Sequence, residues 1–511
     1  MTSPAAVEQR FMRASDAFSW YMEQDPVLRS TVVAVTWLDR RPDWPTLAAK
    51  LEQASRRIPM FRRRVMDLPG RLTPPRWTDV PDFDMGWHLR RVDAADPKDD
   101  SVVMDFARRE AMTGFDRAHP LWRATLIEGL TGDRAALVMT VHHSLTDGIG
   151  GMQLALMIFD GQREPSPPAE SPPPLTEAAP SPLGLMTEQV GWRATRSLGF
   201  VSQRIRSVIP DLVTTARQPV RSLTSAAHEV ASVARTVAPV RQTLSPLMTG
   251  RSLKRHLASM EVPLSDLKTA SAKVGGSLND GFLAAVTGGL RLYHEHHGVH
   301  VDRLRVTMPI SLRTAEDLPG GNRITLMRFS VPVGEANPAR RVAEIRRAAW
   351  QARHEPSLPL TDTIAGALNL LPAGVIGSML KNVDFLASDV PGFDAPVYLA
   401  GAKVERYEAY GPTTGTAANA TLLSYNGRCH IGVTVDTAAI PDPDVFMACL
   451  AQGFDEMAAM GRAAPGAAGA GGGGGDGKKP RQEVGGNIAG RSEVEQGARS
   501  ESEEVDPPDE L

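Results

Sequence analysis

Around residue 145 the chain reads Val141-His142-His143-Ser144-Leu145-Thr146-Asp147-Gly148, a string built from the residue types best suited to moving a proton. It closes an apolar run, Ala136 to Val141, and leads into a glycine-rich stretch. On an extended strand successive side chains point to opposite faces. His142 and His143 therefore cannot both address one site unless the strand breaks between them, so one is structural and the other reaches a cavity. Asp147 lies past a short turn, where it can fix the loop or hold an imidazole. Gly148, Gly150 and Gly151 allow tight turning and close backbone approach.

The chemistry this suggests is general base catalysis. A neutral imidazole, with an ordinary pKa near ~6.5, accepts a proton at neutral pH. A hydroxyl becomes a competent nucleophile when a base takes its proton during attack. The sequence has no GxSxG elbow, which agrees with direct attack rather than a serine-bound intermediate. A bare pair of histidines at a strand end would be unremarkable; the full HHxxxDG string at a strand-to-helix junction favours the base. The same residues could ligate a metal, but their opposite facing counts against it. No second cluster of His, Cys or Asp has convincing ligand spacing, and no metal is expected.

The elements needed to position these residues follow from local patterning. Asp43 to Arg57 predicts a helix with Asp43 as N-cap, Pro45 in the first turn, and Leu47, Leu51 and Ala54 on one face. Leu121–Leu130 and Ala135–His142 predict two strands joined at Thr131-Gly132-Asp133. A helix follows from about Gly151. Further strands are expected at Ala258–Val262, Leu304–Ile310, Val397–Ala400, Thr421–Ser424 and His430–Val435. Helices are expected after Ser265 and over Asn279–His297, the latter stopped by Gly298. Asn279 sits in the first turn of its helix, where free N–H groups and the dipole favour developing negative charge. Its amide could donate to an oxyanion, while Ser277, Asn279 and Asp280 equally suit a helix cap. His294, His296, His297 and His300 resemble a metal tract but suit a solvated helix end.

Composition divides the chain. Residues 1–163 form a first domain. Residues 164–251 hold a proline-rich linker and a basic amphipathic region, in which Leu198, Val201, Ile205, Val208 and Ile209 share a helical face apart from Arg193, Arg196, Arg204 and Arg206. Residues 252–462 form a second domain, and 463–511 are a low-complexity tail expected to be disordered. The 511 residues carry a net charge of −3, which gives no sign of a nucleic-acid partner. Two cysteines, Cys429 and Cys449, exclude a disulfide framework and fit a reducing compartment. The N-terminus lacks a secretory pattern and no stretch approaches the ~18 apolar residues of a membrane span. The expectation is a cytoplasmic protein whose membrane contact is peripheral, with the basic helix from about Leu185 to Ile209 as the anchor.

Beyond the HHxxxDG string, the chain resembles the bacterial wax ester synthase/diacylglycerol acyltransferase family. The resemblance spans most of residues 10 to 460. It rests on Pro120-Leu121-Trp122, His142 to Gly148, Asn279-Asp280, Pro309-Ile310-Ser311-Leu312-Arg313, Gly321-Asn322, Val390-Pro391-Gly392 and Leu422 to Gly427. It implies an α/β fold of two chloramphenicol-acetyltransferase-like domains, each a mixed sheet covered by helices, with the site in a tunnel between them. His143 would act as base, Asp147 as a structural residue, and Asn279-Asp280 as the family's paired motif. Gly148, Trp122, Asp280 and Arg313 are candidate substrate contacts, Arg313 toward the phosphates of coenzyme A. The implied reaction is esterification of diacylglycerol or a long-chain alcohol by an acyl-CoA co-substrate at a membrane or lipid droplet, with no further cofactor. Two alternatives remain open: the same chemistry on a polyketide or carrier-bound substrate, and a weakly active lipid-binding paralogue. One departure stands out. The family commonly has Ser-Asn-Val-Pro-Gly where this chain has Ser388-Asp389-Val390-Pro391-Gly392. A carboxylate replaces an amide donor there, which bears on substrate selection more than on the chemistry.

Overall fold

The computed structural model describes residues 10–68, 73–145, 148–165, 184–192, 240–311, 324–355, 361–369, 377 and 380–462. Asp147 and Arg313 lie outside them. So do Arg193, Arg196, Arg204 and Arg206, along with all of the tail from 463 onward.

Two six-stranded sheets carry the molecule. The first has the order β11-β12-β1-β6-β5-β4, built from Tyr398–Leu399, Ala402–Tyr410, Thr31–Leu38, Arg134–His142, Trp122–Leu130 and Leu89–Asp93. The second has the order β7-β14-β13-β10-β8-β9, built from Arg255–Pro263, Arg428–Asp436, Ala418–Tyr425, Phe385–Phe393, Arg303–Ser311 and Ile324–Pro332. Both are mixed: β4 runs parallel to β5, and β10 runs parallel to both β13 and β8. A separate hairpin pairs β2 (Arg63–Met66) with β3 (Arg76–Asp79).

Local signals set the helices as the patterning requires. The helix Trp44–Arg57 starts where the Asp43 carboxylate accepts the Thr46 N–H at 3.0 Å, a cap that contributes about 1 kcal/mol. Leu47, Leu51 and Ala54 are buried on its inner face; each leucine contributes roughly 1.5–3 kcal/mol by leaving water. The helix Leu278–His296 begins at a capping box between Ser277 and Asp280 and ends before Gly298, whose φ of 69° stops it. This helix, with Leu264–Ala272, Pro338–Arg353 and Pro443–Arg462, covers one face of the second sheet over a core that includes Phe282, Phe385, Ile431 and Phe454.

One strand pairing crosses between the two stretches expected as sequential domains. Residues 398–410 belong to the second stretch, 252–462, yet β11 and β12 complete the first sheet. β12 pairs antiparallel with β1, from Val33 opposite Tyr410 to Leu38 opposite Val404. The seam is locked by a buried carboxylate. Glu408 accepts hydrogen bonds from Trp37 Nε1 at 3.1 Å, Tyr410 Oη at 3.0 Å and Ser259 Oγ at 3.0 Å, so three strands from both sheets meet on one side chain. The sheets approach closely here: a Cβ on Gly432 would lie 2.1 Å from the Ala409 carbonyl oxygen. Sequence patterning could not foresee this loan, because periodicity identifies a strand and not its neighbour.

A helix also occupies 184–192, inside the segment read as a membrane anchor. Its Glu188 pairs with Arg10 at 2.6 Å and with Arg76 at 2.9 Å, and Trp192 lies 5.7 Å from the Phe11 ring. This part of the segment is therefore tied to the first half of the chain.

Candidate active site

The strand β6 delivers two histidines to two environments. Its alternation puts Met139, Val141 and His143 in phase, and all three line one large cavity. His142 falls out of phase and is buried on the other side, 1% exposed. The strand pairing ends with Thr31 opposite His142. Beyond it the His143 N–H donates to Ser30 O at 2.9 Å and the Leu145 N–H to His142 O at 2.9 Å, which turns the chain.

His142 is held by hydrogen bonds at Nδ1, while its buried Nε2 makes none. The Ser144 backbone N–H donates to its Nδ1 at 3.1 Å, and the Ser144 hydroxyl lies 2.7 Å from the same atom. With Nδ1 accepting, the ring proton sits on Nε2, 3.4 Å from Glu23 Oε1. Trp20 and Phe115 meet the ring edge-on at 5.9 and 6.1 Å. Burial pushes the Glu23 carboxyl up, but His142, the Ser30 N–H and Arg29 together outweigh it and hold the group below the usual carboxylate range. Glu23 is thus a carboxylate at neutral pH, and its charge fixes the His142 tautomer.

The cavity that His143 lines has a volume of about 670 Å³ and walls from both halves of the chain. Ser30 directly precedes β1, and Val32 and Ala34 come from it; Thr307 and Pro309 come from β8, Ser388 and Val390 from β10, and Asn419, Thr421 and Leu423 from β13. Its lining is mainly apolar, with a few polar side chains set into it. Thr421 Oγ1 accepts the Gly411 N–H at 3.3 Å, and Asn419 Nδ2 donates to Pro412 O at 2.8 Å, so these two are oriented before any ligand arrives. Gly148, at the start of the helix Gly148–Ile158, also lines the cavity. A Cβ there would lie 3.0 Å from Val390 Cγ2, so a side chain would narrow the space where the two halves meet.

The other residues expected at the site lie elsewhere. Trp122 is 1% exposed and does not line the cavity. Its Nε1 donates to Phe61 O at 2.9 Å, and its ring stacks on His88 at 4.5 Å. Burial, against the Trp122 carbonyl contact, lowers the His88 pKa to about 4. Asn279 and Asp280 also stand outside the cavity wall. Asp280 accepts the Ser277 N–H at 2.8 Å and its own N–H donates to Ser277 Oγ at 3.2 Å, so the carboxylate is consumed by the cap. Asn279 Oδ1 is buried with no hydrogen-bond partner. The four histidines near 297 do not converge. His294 is buried between Leu290 O and Ser245 Oγ, while His297 and His300 pair with Asp442 and Asp302.

Asp389 does not itself line the cavity, although its β10 neighbours Ala387, Ser388 and Val390 do. Burial pushes its carboxyl up to about 6. Patterning had not singled out Ser30, Thr307, Ser388, Asn419 or Thr421. The one available signal was a pair of polar residues at i and i+2, Asn419 and Thr421, inside the otherwise apolar strand Ala418–Tyr425.

Two mixed sheets sharing a cavity, with the second histidine of an HHxxxDG string in its wall, define the class: a chloramphenicol-acetyltransferase-like acyltransferase. The profile of the wax ester synthase/diacylglycerol acyltransferase catalytic domain matches residues 12–282, and that of the corresponding C-terminal domain matches residues 320–458. A Mycobacterium tuberculosis (strain H37Rv) protein named a putative diacylglycerol O-acyltransferase is 34% identical over 448 residues, covering 87% of this chain and 91% of the relative. A second protein so named from the same strain is 29% identical over 463 residues, covering 86% and 88%. Among solved structures, the wax ester synthase/diacylglycerol acyltransferase from Marinobacter aquaeolei VT8 superposes with a TM-score of 0.57 at 21% identity, covering 88% of this chain and 99% of that one. The first condensation domain of the calcium-dependent antibiotic synthetase gives 0.56 at 16% identity, covering 88% and 96%. The chain belongs to the wax ester synthase/diacylglycerol acyltransferase family and is an acyltransferase.

Proposed function

We propose that the chain moves an acyl group from a coenzyme A thioester to the hydroxyl of diacylglycerol or a long-chain alcohol, with His143 as general base. The observation that carries this is the placement of His143 in the wall of a mainly apolar cavity of about 670 Å³, within the roughly 300–1,000 Å³ usual for small-molecule sites.

His143 takes the proton of the acceptor hydroxyl as its oxygen attacks the thioester carbon. The carbonyl π electrons move to oxygen, giving a tetrahedral oxyanion that polar groups of the wall stabilise. The oxyanion collapses, the C–S bond breaks, and the imidazolium returns its proton to the departing thiolate. Ester and free coenzyme A result, with no bond to the enzyme and no metal or further cofactor. His142 is a positioning residue: its hold on Glu23 and Ser144 fixes the turn that carries His143. The rarer Asp389 sits on the cavity strand β10 without itself lining the cavity, and acts on the shape of the acceptor channel rather than on the reaction. The substrates reside in a bilayer or droplet, so the chain works in the cytoplasm at the inner membrane or a lipid-droplet surface. No helix among the described residues is long and apolar enough to cross a membrane.

The test is an acceptor panel. Purified protein is given labelled palmitoyl-CoA with diacylglycerol, hexadecanol or no acceptor, and the lipid products are separated. Triacylglycerol or wax ester is expected. Release of coenzyme A without ester formation on either acceptor would sink the proposed reaction.

A further inference from the structure

The helix Pro338–Arg353 has two unlike sides. Inward, Arg341, Val342 and Ile345 are buried. Toward its C-terminus, Ala348, Gln351 and Ala352 form part of the cavity wall. Outward, Arg340, Arg346, Arg347, Trp350 and Arg353 are exposed, within an arc of roughly 140° at ~100° per residue. Trp350 is 61% exposed, its ring stacked on His354 at 4.1 Å.

Among the described residues, the charge on this outer side is not balanced by ion pairs. The ion pairs of the helix use Glu344, 3.8 Å from Arg303, and the buried Arg341, 2.8 Å from Glu456. Among the described residues Arg340, Arg346, Arg347 and Arg353 have no ion-pair partner. Glu344 stands four residues after Arg340 and three before Arg347, but its carboxylate is turned to Arg303. Exposed arginines around an exposed tryptophan are the pattern of a helix lying at a lipid–water interface, where the indole sits at headgroup level and cations meet phosphates. Leu326, 39% exposed on β9, which packs against this helix, also lines the cavity.

We propose that the outer face of Pro338–Arg353 docks the chain on an anionic lipid surface, with Trp350 inserted and the four arginines against lipid phosphates. Its inner side then places the cavity wall directly behind the membrane that holds the acceptor. The proposal rests on the reading of that acceptor as membrane-resident. It is independent of the basic segment 193–209.

Vesicle flotation tests it. Wild type is compared with a quadruple variant (Arg340→Gln, Arg346→Gln, Arg347→Gln, Arg353→Gln) and with Trp350→Ala, on phosphatidylcholine vesicles with and without phosphatidylglycerol, at low and high salt. Each arginine contributes about fivefold to partitioning, so the quadruple variant should bind at least roughly 100-fold more weakly at low salt. Trp350→Ala should lose about tenfold with little dependence on salt. Turnover of a short-chain thioester with a water-soluble alcohol should be unchanged in both variants, because none of these residues lines the cavity; turnover of vesicle-borne diacylglycerol should fall with binding. Equal flotation of all three proteins, or binding indifferent to phosphatidylglycerol, overturns the docking surface while soluble-substrate turnover still stands. Preference for single-stranded RNA over the vesicles overturns it as well. Flotation reads docking without any turnover, so a chain that transfers no acyl group fails the proposed reaction separately.

Discussion

The end of β6 and the start of the helix Leu278–His296 are both places where the sequence offers a short polar string to a site. Their fates differ. At the helix start Ser277 and Asp280 satisfy each other's N–H groups, Asn279 Oδ1 is buried without a hydrogen-bond partner, and neither Asn279 nor Asp280 lines the cavity. At the end of β6 the strand's alternation sends two adjacent histidines to opposite sides. His142 is fastened to Ser144 and Glu23, and the next residue faces a void between two sheets. A motif therefore marks candidates, and the direction in which the backbone turns each side chain decides which of them meets the cavity.

The contrast is sharpest at adjacent residues. Replacing His143 by Ala should lower kcat by roughly 10²–10⁴-fold, the usual share of a general base, with the melting temperature nearly unchanged. Near-normal turnover in a folded His143→Ala protein would remove the base from the mechanism. Replacing His142 by Ala should act on the fold instead. It strands the Glu23 carboxylate, 10% exposed, without its ring partner, and should cost roughly 2–4 kcal/mol in urea unfolding. An unchanged midpoint with a large fall in kcat would give His142 a chemical part that its geometry does not suggest.

Asp389 extends the comparison to a group on a cavity strand that does not itself line the cavity. Its folded pKa, about 6, lies above the ordinary carboxylate value, so the neutral acid is the form the fold prefers. The stability this group contributes is full below pH ~4 and is lost as pH rises through about 6. Glu23, held low, runs the other way and loses its contribution as pH falls. The difference between wild type and Asp389→Asn isolates the first effect. It should change by on the order of 1–3 kcal/mol in favour of the variant between pH ~4 and ~7. Parallel stability curves would mean the carboxyl is solvated in both states.

The smallest effects are expected at the helix cap. Asp280→Ala should cost about 1 kcal/mol of stability, and Asn279→Ala should change kcat by less than about threefold, since its neighbours in the first turn serve only the cap. A hundredfold fall in kcat for Asn279→Ala with KM unchanged would show that this amide reaches the reacting carbonyl and would erase the distinction between the two regions.

Much of this architecture could be read in advance wherever a physical signal is local. Asp43, Pro45 and the spacing of Leu47, Leu51 and Ala54 fix one helix; Ser277 and Gly298 bound another; alternation along Ala136–His142 separates the two histidines. Where the signal is long-range, the sequence is silent. Nothing in Ala402–Tyr410 says that it pairs with β1, and nothing in Thr307, Ser388 or Thr421 says that three strands turn these side chains into one void. Each looks like an ordinary half-polar strand position until the sheets are assembled. Trp122 illustrates the converse. Its place in a strand reads as core and its family string as a channel lining; an indole N–H with a carbonyl in reach and an imidazole to stack on sits in the core.

The loan of β12 to the first sheet has a temporal meaning. Strand β1 leaves the ribosome early, yet its partner on one side is completed only at Tyr410, some 370 residues later. At synthesis rates of about 5–20 residues per second, that edge waits roughly 20–70 s with its backbone N–H and carbonyl groups unpaired. The amino-terminal half is thus an unfinished template throughout most of translation, open to pairing with the wrong strand or the wrong chain. A fragment cut after the first sheet's own strands should aggregate when expressed alone, and co-expression of the remaining residues should rescue it by supplying the missing ribbon in trans.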